Sequence, residues 1–140
     1  KRKGILVFTR FLKEAERLTM SIPGCVIVSG DTPKKERERI LEMFKVGEIP
    51  VVANVGVLTT GFDYPELDTV VMARPTMSLA MYYQIVGRCI RPYKGKTAWF
   101  VDLCGNINRF GEVSDLHLKD TGNGKWAVFS KGRQLTNVRF

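Results

Sequence analysis

The chain has 140 residues, 44% of them hydrophobic and 26% charged, which is enough for one compact domain and not comfortably for two. Twenty-two Lys and Arg against fourteen Asp and Glu give a formal charge of +8 at pH 7, and no run of 18 apolar residues occurs, so a membrane-spanning helix is excluded. Three widely spaced cysteines (Cys25, Cys89, Cys104), without a CxxC pair and with His117 as the single histidine, argue against a disulfide scaffold or a zinc site and for a reducing, intracellular setting. The chain opens on Lys1-Arg2-Lys3, with no initiator Met and no apolar leader behind it, and is expected to be a piece of a longer protein.

Apolar runs alternate with helical patterns from the start. Ile5-Leu6-Val7-Phe8 reads as a buried strand. Phe11, Ala15, Leu18 and Ile22 then recur at helical spacing until Pro23-Gly24 stops them. Val26-Ile27-Val28 is a second strand, followed by the turn Ser29-Gly30-Asp31. Thr32 is expected to cap a helix with Pro33 in its first position, and that helix buries Ile40, Leu41 and Phe44 before Gly47 ends it. Val51-Val52-Ala53 and Thr69-Val70-Val71-Met72 are strands three and four, with a Gly/Thr/Pro-rich connection between them from Asn54 to Leu67. A helix runs from Ser78 to Arg88 or beyond, bounded by Pro92, and Ala98-Trp99-Phe100-Val101 is a fifth strand. This alternation predicts an α/β fold, a mostly parallel sheet with helices on both faces and right-handed crossovers. After Asp102 the pattern turns polar and glycine-rich, then alternates over Trp126–Phe129 and Leu135–Phe140, which predicts a terminal β-hairpin about Lys131-Gly132. The expected organisation is a lobe over 1–111 with a β-rich extension of the same domain over 112–140.

The positive charge is segregated. Thr69 to Val101 holds five basic residues and no acidic one, and Thr121 to the end holds four and none, leaving −1 for the remainder. Such stretches favour a polyanion, although a solvated basic surface has the same composition. Ligands of open parallel sheets sit at the carboxyl ends of the strands, and three segments are expected there: Thr9-Arg10, the Leu58–Asp63 connection, and the helix carrying Arg88. Gln84, Arg88 and Arg91 share a face if that helix persists one turn further. Two guanidiniums brought together suit phosphate oxygens, and Gly87 leaves room for close approach. A solvated basic helix end is the alternative. Leu58-Thr59-Thr60-Gly61-Phe62-Asp63-Tyr64-Pro65 combines hydroxyls, a glycine and a carboxylate suited to phosphate and ribose, or is simply a turn with Asp63 as its local cap.

In order, Ile5-Leu6-Val7-Phe8-Thr9, Leu58-Thr59-Thr60-Gly61-Phe62-Asp63-Tyr64-Pro65 and Gln84-Ile85-Val86-Gly87-Arg88-Cys89-Ile90-Arg91 resemble motifs IV, V and VI of superfamily 2 helicases. Thr32 to Arg37 with Phe44 and Gly47 also fit that family's second, RecA-like lobe. Arg74-Pro75-Thr76, Asp102 to Asn106 and Arg109-Phe110-Gly111 resemble RadD-like DNA repair helicases. The resemblance implies that Arg91 is an arginine finger reaching ATP, Arg88 its partner on the phosphates, and Gln84 a group that positions water or links two lobes. It implies Gly61 and Asp63 near the nucleotide, and Thr9, Arg10, Gly30, Thr59 and Thr60 on the nucleic-acid backbone. It further implies ATP and Mg2+ held mainly by an N-terminal RecA-like lobe of the parent protein, DNA as the polymer (RNA not excluded), no membrane, and a cytoplasmic location, nucleoid-associated if prokaryotic.

The family's Walker motifs belong to that other lobe. Gly95-Lys96-Thr97 resembles the end of a P-loop, yet Ile90 stands where the upstream glycine belongs and a strand follows. Phe100-Val101-Asp102 lacks a following second carboxylate. This segment alone is therefore expected to be inactive. A stand-alone or degenerate nucleic-acid-binding module, without a nucleotide role, is the alternative reading.

Overall fold

A computed structural model describes residues 4–57, 63–122 and 125–139. The chain forms two compact units, Lys1–Cys104 and Gly105–Phe140.

The first unit is a five-stranded parallel sheet built from β1 (Ile5–Thr9), β2 (Cys25–Ser29), β3 (Val51–Val55), β4 (Thr69–Ala73) and β5 (Trp99–Asp102), in the order β2-β3-β1-β4-β5. The five expected strands are all present, each one or two residues from its expected bounds. Leu6, Val7 and Phe8 of β1, Val52 and Ala53 of β3, and Val70 and Met72 of β4 are all buried. Successive side chains of a strand point to opposite faces, so burial of neighbours means that both faces are covered. Helix α1 (Leu12–Ser21) packs on β1, β2 and β3, α2 (Lys34–Lys45) on β2, and α3 (Leu79–Ile90) on β4 and β5. The chain steps one way across the sheet from β1 to β2 and the other way through α2 and α3. Right-handed crossovers then set α1 on one face and α2 and α3 on the other.

Two helix starts differ from the sequence expectation. Pro33, not Thr32, is the residue before α2, and the Thr32 hydroxyl instead accepts from the Ser29 backbone N–H at 3.0 Å, closing the preceding turn. Phe11 precedes α1 rather than lining the core, and is 56% exposed; Glu14 Oε2 reaches back to the N–H groups of Arg10 and Phe11. Reach-back from the third helical residue satisfies donors that a serine or aspartate cap would otherwise serve. At the far edge, Trp99 is half exposed rather than packed, because β5 has a neighbour on one side alone.

The second unit holds the short helix α4 (Asn106–Phe110), a 3-10 turn (Val113–Asp115) and a three-stranded antiparallel sheet of β6 (Leu116–Gly122), β7 (Lys125–Ser130) and β8 (Arg133–Arg139). The expected hairpin is β7–β8. Lys131 and Gly132 both adopt positive φ (48° and 80°), the conformation that a tight two-residue hairpin loop demands. Strand β6 was not expected. Its residues are exposed from His117 onward, and its apolar alternation is limited to Leu116 and Leu118. Arg109 donates to the Asn106 carboxamide at 3.1 Å and Arg133 to the carbonyls of Asn108 and Arg109, so these side chains brace α4.

Candidate functional site

The singled-out residues occupy opposite ends of the parallel sheet. In-register pairing of Thr9 with Val55 and Ala73, and of Ser29 with Val55, brings the carboxyl ends of four strands level. Arg10 follows β1 there. It is exposed, and its guanidinium lies 5.0 Å from the centre of the Phe11 ring. Gly30 follows β2, exposed and with open space where a Cβ would stand. One strand separates the two, roughly 10 Å. Thr9 differs from its expectation as a surface contact: it is 1% exposed, and its hydroxyl donates to the Asn54 carbonyl at 3.3 Å, strapping β1 to β3. Thr59, Thr60 and Gly61 lie outside the described residues.

The helix carrying Arg88 does not reach that end, which corrects the sequence expectation. Helix α3 leaves β4 at its carboxyl end, where the Ser78 hydroxyl accepts from the Met81 N–H at 3.2 Å, and must return to the start of β5. Its last turn therefore lies at the amino ends of the strands. Cys89 marks the spot: its Sγ sits 3.5 Å from the carbonyl of Asp68, which immediately precedes β4, and 3.0 Å from that of Trp99, which begins β5. Nor does α3 persist through Arg91. A residue before proline is driven out of the helical region, and Arg91, before Pro92, has φ −55° and ψ 128°.

At this amino end Gln84, Gly87, Arg88 and Arg91 line a single open cavity of about 190 Å³ with Tyr64, Leu67 and Tyr83. Each wall has a traceable support. Phe44 packs against Gly4, where a Cβ would come within 2.7 Å of the ring, and meets the Tyr64 ring edge-on at 5.5 Å. The Tyr64 hydroxyl in turn donates to the Lys45 carbonyl at 3.4 Å. Of the neighbouring tyrosines, Tyr82 is buried against Phe100 and Tyr83 is exposed at the cavity, as adjacent helical positions on different faces must be. Gly87 leaves the space above it open.

Electrostatically the site is built against its own helix. The carboxyl end of a helix carries about half a negative charge, which repels an anion. Arg88, Arg91 and Lys96 gather here, with Asp63 paired to Arg91 and Asp68 acting on Lys96. Burial and the charge of Arg91 both push the Arg88 pKa down, while Asp63 pulls it back up; a guanidinium stays charged regardless. Arg91 Nη1 pairs with Asp63, with both side chains open to solvent. Such an exposed pair contributes at most about 1 kcal/mol, so Asp63 holds the Arg91 side chain lightly. Sequence reasoning missed Lys96, set aside as a P-loop look-alike. Its Nζ donates to the Arg91 carbonyl at 2.7 Å and to the Pro65 carbonyl at 3.0 Å. Burial lowers its pKa, Cys89 and Asp68 raise it, and Arg91 lowers it further. Two guanidiniums and the open space over Gly87 give the cavity donors and room for phosphate oxygens. No group of three or more His, Cys, Asp or Glu among the described residues could hold a metal ion.

The helicase conserved C-terminal domain family matches residues 1–93. This chain belongs to that family. The helicase C-terminal domain is 32% identical over 105 residues to the DNA 3'-5' translocase XPB2 of Sulfurisphaera tokodaii, covering 74% of this chain and 23% of that protein. It is 35% identical over 101 residues to the ATP-dependent RNA helicase DBP3 of Gibberella zeae, covering 69% and 17%. The C-terminal domain of the DEAD-box protein Dbp5 superposes with a TM-score of 0.62 at 23% identity, over 73% of this chain and 61% of that one. The fold is thus the RecA-like fold of superfamily 2 helicase C-terminal domains. The chain spans less than a quarter of either relative's length, and the family match ends at residue 93, short of Lys96. Among the described residues no helix is long and apolar enough to cross a membrane.

Proposed function

We propose that this helicase C-terminal domain is the second motor lobe of an ATP-dependent DNA helicase or translocase, completed by an N-terminal RecA-like lobe of its parent protein. The observation that carries this reading is the convergence of Gln84, Arg88 and Arg91 on one cavity, with Asp63 on Arg91, at the sheet end opposite to Arg10 and Gly30. A module that only gripped nucleic acid would have no use for two arginines gathered on a cavity at the end of the sheet away from Arg10 and Gly30.

On this reading ATP is the substrate; Mg2+ would be held by carboxylates outside this chain and would supply charge neutralisation at the phosphates. Closure of the two lobes brings Arg91 onto the outermost phosphate as the arginine finger and Arg88 onto its neighbour. Gln84, exposed at the rim, orients the attacking water or ties the lobes together. Asp63, with Gly61, faces the nucleotide, and exchanges its weak pairing with Arg91 for a ribose hydroxyl. Arg10 and Gly30, with Thr59 and Thr60, hold the strand by its phosphates, and Thr9 fixes the end of β1 beneath them. Contacts of this kind position a strand without reading its sequence.

The test is steady-state ATPase of the full-length protein, with single-stranded DNA, with RNA and with neither. DNA-stimulated turnover is expected, and Arg91→Ala should lower kcat by about a thousandfold or more, with single-strand binding changed by about twofold at most. Full turnover in that variant removes the finger role. Stimulation by RNA alone replaces DNA as the polymer. No turnover from a folded wild-type protein leaves the binding-module reading in its place.

A further inference from the structure

We infer that Lys96 is a positioning residue for Arg91, setting the arginine finger through its backbone. The inference rests on the reading of Arg91 given above and deepens it. Helix α3 stops at Ile90 because Arg91 precedes a proline, so the Arg91 carbonyl points out of the helix without a helical donor. The chain then turns through Tyr93 to Lys96, with the Lys96 N–H bonded to the Tyr93 carbonyl at 3.1 Å. This turn sends the Lys96 side chain back over its own approach. There Nζ spans two segments, the end of α3 at Arg91 and the run into β4 at Pro65, two residues past Asp63. One nitrogen thereby fixes the distance between the finger's backbone and the segment that carries its resting partner.

A lysine that only complemented the helix dipole would be solvated, since that interaction needs proximity and no particular bond. Lys96 is half-buried and spends two of its three donors on named carbonyls. Neither bond involves the Asp63 carboxylate, so both persist when Asp63 turns to a ligand and the exposed ion pair is given up. From then on the Arg91 side chain is aimed by its backbone. Geometry matters steeply here, because a misplacement of about 1 Å in a catalytic group costs roughly a hundredfold in rate.

The experiment is ATPase kinetics and thermal melting of the full-length protein, with saturating single-stranded DNA, for wild type, Lys96→Met, Lys96→Arg, Arg91→Ala and the Lys96→Met/Arg91→Ala double variant. Lys96→Met is expected to lower kcat roughly ten- to a hundredfold while KM for ATP stays within about twofold, the signature of an interaction felt in the transition state. Lys96→Arg, which retains donors for both carbonyls, recovers most of the loss. In the Arg91→Ala background the methionine costs nothing further, because Lys96 acts through Arg91. An unchanged kcat, a rise in KM alone, or a loss that is additive with Arg91→Ala overturns the inference, the last of these also where the single variant melts early. Wild-type protein without turnover is a different failure: it brings down the motor reading itself, and this inference with it.

Discussion

The carboxyl end of the sheet and its amino end are built from the same five strands and carry opposite kinds of site. At the carboxyl end Arg10 and Gly30 stand exposed and spaced apart, with Thr9 buried beneath. At the amino end Gln84, Arg88 and Arg91 line a single cavity, with Asp63 paired to Arg91, and the walls are propped by Phe44 through Tyr64 and by Lys96 through two carbonyls. One end is open and tolerant; the other is braced from several directions. Helix α3, twelve residues and so roughly 18 Å long, starts at one end and finishes at the other. The difference teaches that the two ends share no surface and that a packed element, α3, is what joins them.

Arg91→Ala is the strongest probe of that division, since it should empty the amino end of function and leave the carboxyl end binding. Phe44→Ala probes its limit. Removing this ring opens the core between Gly4, α2 and Tyr64, at a cost of about 3–5 kcal/mol, read as a fall in the denaturation midpoint. ATPase and strand binding are expected to fail together as the fold loosens. Loss of ATPase at unchanged stability would instead make Phe44 a local prop. Arg10→Ala is smaller and works from the other side. It should reduce the slope of log affinity against log salt by about one phosphate contact, with kcat at saturating DNA unchanged. An unaltered salt slope would take Arg10 out of the grip. Gly87→Ala is the subtlest. Alanine is a better helix former by up to about 1 kcal/mol and meets no atom within 4 Å here. Melting should therefore hold or rise while turnover falls, because the added methyl stands in the cavity. Unimpaired turnover would show that nothing approaches Gly87 closely.

Local rules made much of this lobe readable. Proline and glycine end the first helix and the third, and short apolar runs rich in β-branched or aromatic residues mark all five parallel strands. Where side chains answer to neighbours distant in sequence, those rules misdirect. Phe11 has helical spacing yet lies outside the core, and Trp99 sits in an apolar run yet is half exposed at a sheet edge. Strand β6 escapes because it has no buried face, and its alternation stops at Leu116 and Leu118.

By itself the sequence determined the order of elements in the parallel lobe, the grouping of Gln84, Arg88 and Arg91, and the three motifs that carry the family resemblance, because each element and each motif depends on residues within a few positions of one another. Tertiary structure alone decided which end of the sheet that group occupies. A crossover helix must run antiparallel to the strands it joins, so the parallel pairing of β4 with β5 puts the last turn of α3 at their amino ends, which spacing within the helix does not record. It likewise decided that Lys96, legible only as half of a P-loop, bonds Arg91 and Pro65. Those carbonyls lie five and thirty-one residues away, and only the packing of α3 against the run into β4 brings them to one nitrogen.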